Sequence, residues 1–202
     1  MRKAVSTLPE GYREILTVDL KKNKKQMLLV NGLGLLVFFA LALPVHMFYL
    51  PYSSLGIGGS QAYWTRIAVL FGSMAVYIVL HELVHGITMK ICGTKKVKYG
   101  FTGVYAYAGS DDYYYKWPYI TIALAPVVVW GVVLAVINFL VPAPWFWVVY
   151  AIQLMNLSGA AGDLFVTAKF SSLPGTILIR DYGVGMQVYA PDAVTDREQQ
   201  EK

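Results

Sequence analysis

Four apolar runs, each long enough to cross a bilayer, constrain this chain more than any other feature. They lie at about 26–50 (QMLLVNGLGLLVFFALALPVHMFYL), 65–90 (TRIAVLFGSMAVYIVLHELVHGITMK), 117–140 (WPYITIALAPVVVWGVVLAVINFL) and 144–168 (PWFWVVYAIQLMNLSGAAGDLFVTA). A span needs roughly 20 mostly apolar residues. Only 14% of the 202 residues are charged, against about 25% in soluble domains. The expected fold is an all-α membrane bundle of four transmembrane helices with short cytoplasmic β-hairpins. It divides into an N-terminal tail (1–25), a four-span core (26–168) carrying a cytoplasmic hairpin loop (91–116), and a C-terminal hairpin and tail (169–202).

The net charge of +5 is unevenly spread. Arg2, Lys3, Arg13, Lys21, Lys22, Lys24 and Lys25 precede the first span. Lys95, Lys96, Lys98 and Lys116 follow the second, with Lys90 at its edge. The segment 51–64 and the turn 141–144 hold no Lys or Arg. The positive-inside rule therefore predicts a multi-pass protein of the cell membrane with both termini and the 91–116 loop in the cytoplasm. The basic clusters fit this rule and anionic lipid. No nucleic-acid motif accompanies them, so the partner expected is the bilayer and not nucleic acid. The first run is too long, and too far from the start, for a cleavable signal peptide. Cys92 is the single cysteine, which excludes an intramolecular disulfide and a cysteine-based zinc site.

Outside the runs, Leu16, Val18 and Leu20 alternate with Thr17 and Asp19, as in a short strand or an interfacial segment. Val97, Tyr99 and Phe101, then Val104 to Ala108 after a Thr-Gly turn, predict a hairpin. It could serve as a lid, or as an open sheet edge for an extended peptide. TILIR, DYG and VGMQVYA predict a second hairpin between 176 and 190, and the polar residues from Pro191 a disordered tail. The glycines of 51–64 lack the lysine of a phosphate loop, and no transporter-type internal repeat is visible.

Of the twelve Asp and Glu residues, only Glu82 and Asp163 fall inside apolar runs. A carboxylate in hydrocarbon costs roughly 2.5–3.5 kcal/mol even on the lenient insertion scale, so each requires a partner. His81 and His85 are four apart and share one helix face, the spacing at which two imidazoles ligate one metal. Glu82, between them, can act as general base on water at that metal; this is the HExxH pattern of zinc peptidases. Catalytic zinc takes three protein ligands. Counted from Lys90, the histidines lie roughly 10 Å inside the span; Asp163, counted from Lys169, lies roughly 9 Å inside. Asp163 is therefore the matching third ligand, with Asp181 in the C-terminal turn as the alternative. His46, near the outer end of the first run, reads as interfacial. The plain alternative is a buried polar network that only fixes helix packing.

The order HELVHG, β-like cytoplasmic loop, ALAPVVVWGVVLAVINF and NLSGAAGD resembles the site-2 protease class of intramembrane zinc metalloproteases. From LPEGY through GVGMQVY the chain looks closer to a family of small multi-pass membrane proteins described as zincin peptidases, a domain of unknown function. The resemblance implies Zn2+ held by His81, His85 and Asp163, with Glu82 as base. It also implies that Asn156, seven residues before Asp163, hydrogen-bonds the substrate backbone or the oxyanion; a helix–helix hydrogen bond is its other reading. Where the class usually carries LDG near a proline, this chain has Gly162-Asp163-Leu164 and no such proline. No PDZ-like domain is expected within these 202 residues.

The function expected from this reading is a membrane-embedded zinc metallopeptidase. It would act on peptide or transmembrane protein substrates near the cytoplasmic face. A non-catalytic zinc-binding scaffold or chaperone is the alternative, and a metal-ion transporter a more distant one.

Overall fold

The structure is a computed structural model and describes residues 3–56, 60–103 and 105–192. It is mostly helical. Helices α1 (Lys24–Phe48), α2 (Gln61–Ile91) and α3 (Lys116–Leu140) are each long and apolar enough to cross a membrane. Their starts are written locally. The Asn23 Oδ1 accepts the N–H of Gln26, and the Ser60 Oγ that of Tyr63, so each polar side chain caps a helix whose first N–H groups have no partner within it. The fourth apolar run does not form one helix. It folds as α4 (Ala143–Gly159) and α5 (Ala161–Ser171), parted at Ala160. No proline is needed for the break. Gly159 and Gly162 flank it, and glycine in a helix interior costs roughly 0.5–1 kcal/mol relative to alanine.

The chain forms two compact units. The first comprises Met1–Met27, Glu82–Ala125 and Asp163–Lys202. Its centre is a four-stranded antiparallel sheet of order β1-β6-β5-β4, where β1 is Tyr12–Val18, β4 Tyr113–Tyr115, β5 Leu178–Asp181 and β6 Met186–Pro191. Tyr12 pairs with Pro191 and Val18 with Met186, across a bulge between Glu14 and Leu16. Tyr114, Ile177, Ile179 and Val188 from the sheet region pack with Met89 of α2 and Cys92 just past its end, Tyr119 and Ile122 of α3, and Val166 and Phe170 of α5. A separate hairpin joins β2 (Lys98–Phe101) to β3 (Ala106–Gly109). Lys98 and Arg180 both pair with Asp111, which holds its carboxyl below the usual range.

The expectation of an all-α bundle with short β-hairpins holds in part: the chain is mostly helical, with antiparallel strands. Both hairpins form near their expected places, but β5–β6 is completed by β1 on one side and β4 on the other. Pro191, expected in a tail, belongs to β6, and the Asp192 N–H donates to the Gly11 carbonyl. The rest of that expected tail, 193–202, lies outside the described residues, as does Val104 of the first hairpin.

Lys116 shows how this unit is tied together. It is 6% exposed, and its ammonium donates to the carbonyls of Ser171, the last residue of α5, and Leu173 just past it. Those carbonyls have no intrahelical partner. Hydrogen bonds from a charged donor contribute about 1.5–3 kcal/mol. Lys116→Met is expected to lose about that much stability, read as a lower midpoint of chemical unfolding in detergent.

The second unit comprises Leu28–His81 and Pro126–Gly162. Its interior is Tyr77, Leu134 and Ile152, with Met74, Trp130, Val149 and Met155 against them. A Cβ on Gly34 would lie 2.8 Å from the Ser158 carbonyl oxygen, so only glycine lets α1 come this close to α4. Large apolar side chains point outward in number: Phe48 is 84% exposed, Phe139 90% and Val79 67%. An apolar surface of that extent is rare on a chain bathed in water.

Candidate metal centre

The two histidines are placed by α2 alone. At 3.6 residues per turn, positions 81 and 85 lie one above the other on one face. Both lie inside the unbroken helix Gln61–Ile91, which fixes His81 relative to His85.

Asp163 approaches from α5. Because the chain breaks at Ala160, Asp163 sits in the first turn of a new helix. The positive end of the helix dipole favours a carboxylate there. Its Oδ1 lies 3.6 Å from His85 Nε2. The ligand atoms of His81, His85 and Asp163 all lie within 4.8 Å of one another. Two ligands at about 2.0–2.1 Å from one tetrahedral zinc are about 3.3–3.4 Å apart. The His85–Asp163 spacing is therefore that of two ligands around one ion. Two imidazoles and one carboxylate are also the donor set of catalytic zinc, and the residues present fit the metal.

His85 is oriented by the backbone. Its Nδ1 lies 2.9 Å from the carbonyl oxygen of Ile122. A carbonyl only accepts, so Nδ1 carries the proton, and in the neutral ring that a metal requires Nε2 keeps the lone pair. Pro126 accounts for the availability of that acceptor. An ordinary residue at 126 would donate its N–H to the carbonyl four residues earlier; proline has none. The ALAP stretch thus exposes a carbonyl inside a helix, and His85 uses it.

On the other histidine, Nδ1 lies 2.9 Å from the Tyr77 hydroxyl. That hydroxyl donates to Asn156 Oδ1 at 2.7 Å, and Asn156 Nδ2 donates to the Val127 carbonyl at 3.1 Å. Asn156 is completely buried and Tyr77 is 6% exposed. Glu82 follows His81 on the helix and is partly buried.

Asp181 lies at the end of β5, 8% exposed. Its Oδ2 accepts the Tyr119 hydroxyl and its Oδ1 the Gly183 N–H, each at 2.8 Å. The second bond is the Asx turn expected of an aspartate in that position. Burial pushes its carboxyl up to about 6, opposed by the Gly183 N–H, the Tyr119 hydroxyl and His85, and reinforced by Asp163. It is near enough to feel both residues, yet stands outside the three-residue cluster. His46 also stands apart, stacked on Tyr52 and accepting its N–H.

The β2–β3 hairpin reaches α2 next to this centre. A Cβ on Gly86 would lie 1.9 Å from the Tyr99 hydroxyl oxygen. The glycine that ends HELVHG is therefore where β2 rests on the helix, one residue past His85.

Tyr77 and Pro126 were not visible as site residues in the sequence. The signals existed: Tyr77 precedes His81 by four, on the same face, and Pro126 follows Ile122 by four. Both stand inside apolar runs, where neither attracts notice.

A family model described as "putative zincin peptidase" matches residues 74–178, just over half of the chain. The matched stretch contains the two histidines, Glu82, Asn156 and Asp163. No match was found among curated proteins or among solved structures.

Proposed function

The chain belongs to this zincin peptidase family, and from that premise we propose that it is a membrane-embedded zinc metallopeptidase. It hydrolyses peptide bonds of membrane or membrane-proximal proteins near the cytoplasmic face. The observation that carries the reading is the 3.6 Å between His85 Nε2 and Asp163 Oδ1, with His81 one turn away on the same helix.

In this reading His81, His85 and Asp163 hold the ion. Zinc supplies Lewis acidity, which polarises a carbonyl and makes water nucleophilic near neutral pH. Glu82 takes a proton from the attacking water and returns it to the departing amine. The substrate is an extended segment, aligned along the β2–β3 hairpin that rests on Gly86. The apolar outer faces of α1, α2 and α3 meet lipid, and α4, at 17 residues, supplies the fourth crossing. The lysine-rich segments before α1 and between α2 and α3 keep both termini in the cytoplasm.

The test is purified protein in detergent or liposomes. It should bind about one zinc per chain and cleave an unstructured peptide tethered to a transmembrane segment. A chelator should abolish cleavage, and zinc should restore it. Full zinc occupancy without cleavage of any such substrate points instead to a zinc-held scaffold.

A further inference from the structure

We propose that Tyr77 is a positioning residue for His81, and that Asn156 acts on the metal centre through Tyr77 and not on the substrate. The proposal rests on the metal reading of the site. It differs from the oxyanion role that the resemblance implies for Asn156.

Each proton in the chain of groups is fixed by the one before it. The Val127 carbonyl can only accept, so the group of Asn156 facing it at 3.1 Å is the amide nitrogen. Asn156 therefore turns its oxygen to Tyr77, at 2.7 Å. That oxygen only accepts, so Tyr77 gives it the single hydroxyl proton. Towards His81 Nδ1, 2.9 Å away, the Tyr77 oxygen then has only lone pairs. Nδ1 must be the protonated nitrogen, and Nε2 carries the lone pair a metal needs. The chain ends where the ligand must be neutral and correctly turned.

The burial is part of the argument. Asn156 is completely buried, among apolar helices, and both ends of its amide are engaged within the protein. The Val127 carbonyl takes one N–H of Nδ2, and a substrate carbonyl could reach the other only by displacing the side chains that bury Asn156 completely. His85 obtains the same tautomer from the Ile122 carbonyl. The two ligands are thus set by different devices to the same end.

The two substitutions act differently. Tyr77→Phe removes the acceptor that Tyr77 offers to Nδ1–H. Asn156→Leu leaves Tyr77 in place but releases its proton, which can then be donated to Nδ1. That favours the tautomer with the proton on Nε2, where the metal should bind.

The test measures zinc affinity by chelator competition in the full-length protein in detergent. Loss of a ligand's hydrogen-bond partner costs roughly 10–100-fold in metal affinity. Tyr77→Phe is expected to fall in that range and Asn156→Leu to weaken binding as well. The double variant should be no weaker than Tyr77→Phe alone, because Asn156 has no route to the metal without Tyr77. In the metal-free wild type, ring-nitrogen NMR shifts of His81 should report the proton on Nδ1. A purely packing role would move neither the shifts nor the coupling. Should Asn156→Leu not fold, Tyr77→Phe and the His81 shifts decide alone. Wild-type affinity in Tyr77→Phe, or losses that multiply in the double variant, overturns the proposal. A wild-type protein that binds no zinc overturns the metal reading itself, which is a separate result.

Discussion

Glu82→Gln should bind zinc as tightly as the wild type and lose peptide hydrolysis by roughly 10²–10⁴-fold. The substitution keeps size and shape and removes only the ability to take up a proton. Glu82 is not one of the three residues whose ligand atoms converge, so the metal has no reason to leave. The barrier should rise by about 2.7–5.5 kcal/mol. The acid limb of the pH–rate profile, where a carboxylate base becomes protonated, should vanish with the activity. Zinc stoichiometry and cleavage of a tethered peptide, measured on the same preparation, check both halves. Unchanged cleavage would exclude Glu82 as the base. A protein using zinc only for stability predicts another pattern: Glu82→Gln should leave its cellular phenotype intact, while His85→Ala should unfold it.

What could be read from the sequence followed the range of the forces involved. The His81–His85 pair is a local fact, because helix geometry fixes residues four apart whatever surrounds them. Asp163 was legible from further away only because hydrocarbon makes a lone carboxylate conspicuous. The sheet was not legible as one object. The alternation of Leu16 and Val18 marks a strand, but nothing local pairs it with Met186–Pro191 at the far end of the chain. The break at Ala160 was hidden for a different reason. Gly159 and Gly162 in an apolar run read equally well as small residues for close helix packing. Only the position of Asp163 in the first turn of α5 shows that the chain restarts there. Tyr77 and Pro126 were hidden, and Asn156 was named without its partners, because hydrogen bonds between helices leave no periodicity. Their partners at 81, 127 and 122 carry no polar signature, or share it with a motif already explained.

The last prediction separates Asp163 from Asp181, the two aspartates the sequence left open as third ligand. Asp163→Asn should weaken zinc binding by more than the roughly 10–100-fold expected when a ligand merely loses its hydrogen-bond partner. It removes the anionic donor closest to His85 Nε2 and replaces it with a neutral amide. Two imidazoles alone fall short of the three protein ligands of a catalytic site. Asp181→Asn should stay within the 10–100-fold range or below it. Its carboxylate is spent on the Tyr119 hydroxyl and the Gly183 N–H, and it reaches the ion only as a nearby charge. Asparagine keeps one acceptor oxygen for these two donors, a loss of about 0.5–1.5 kcal/mol, but it also removes a charge that burial disfavours, so Asp181→Asn should cost less stability than that. Chelator competition and thermal unfolding of the metal-free proteins measure the two effects separately. If Asp181→Asn abolishes zinc binding while Asp163→Asn retains it, the ligand set is His81, His85 and Asp181, and the Tyr119 hydroxyl must release the carboxylate when the metal enters.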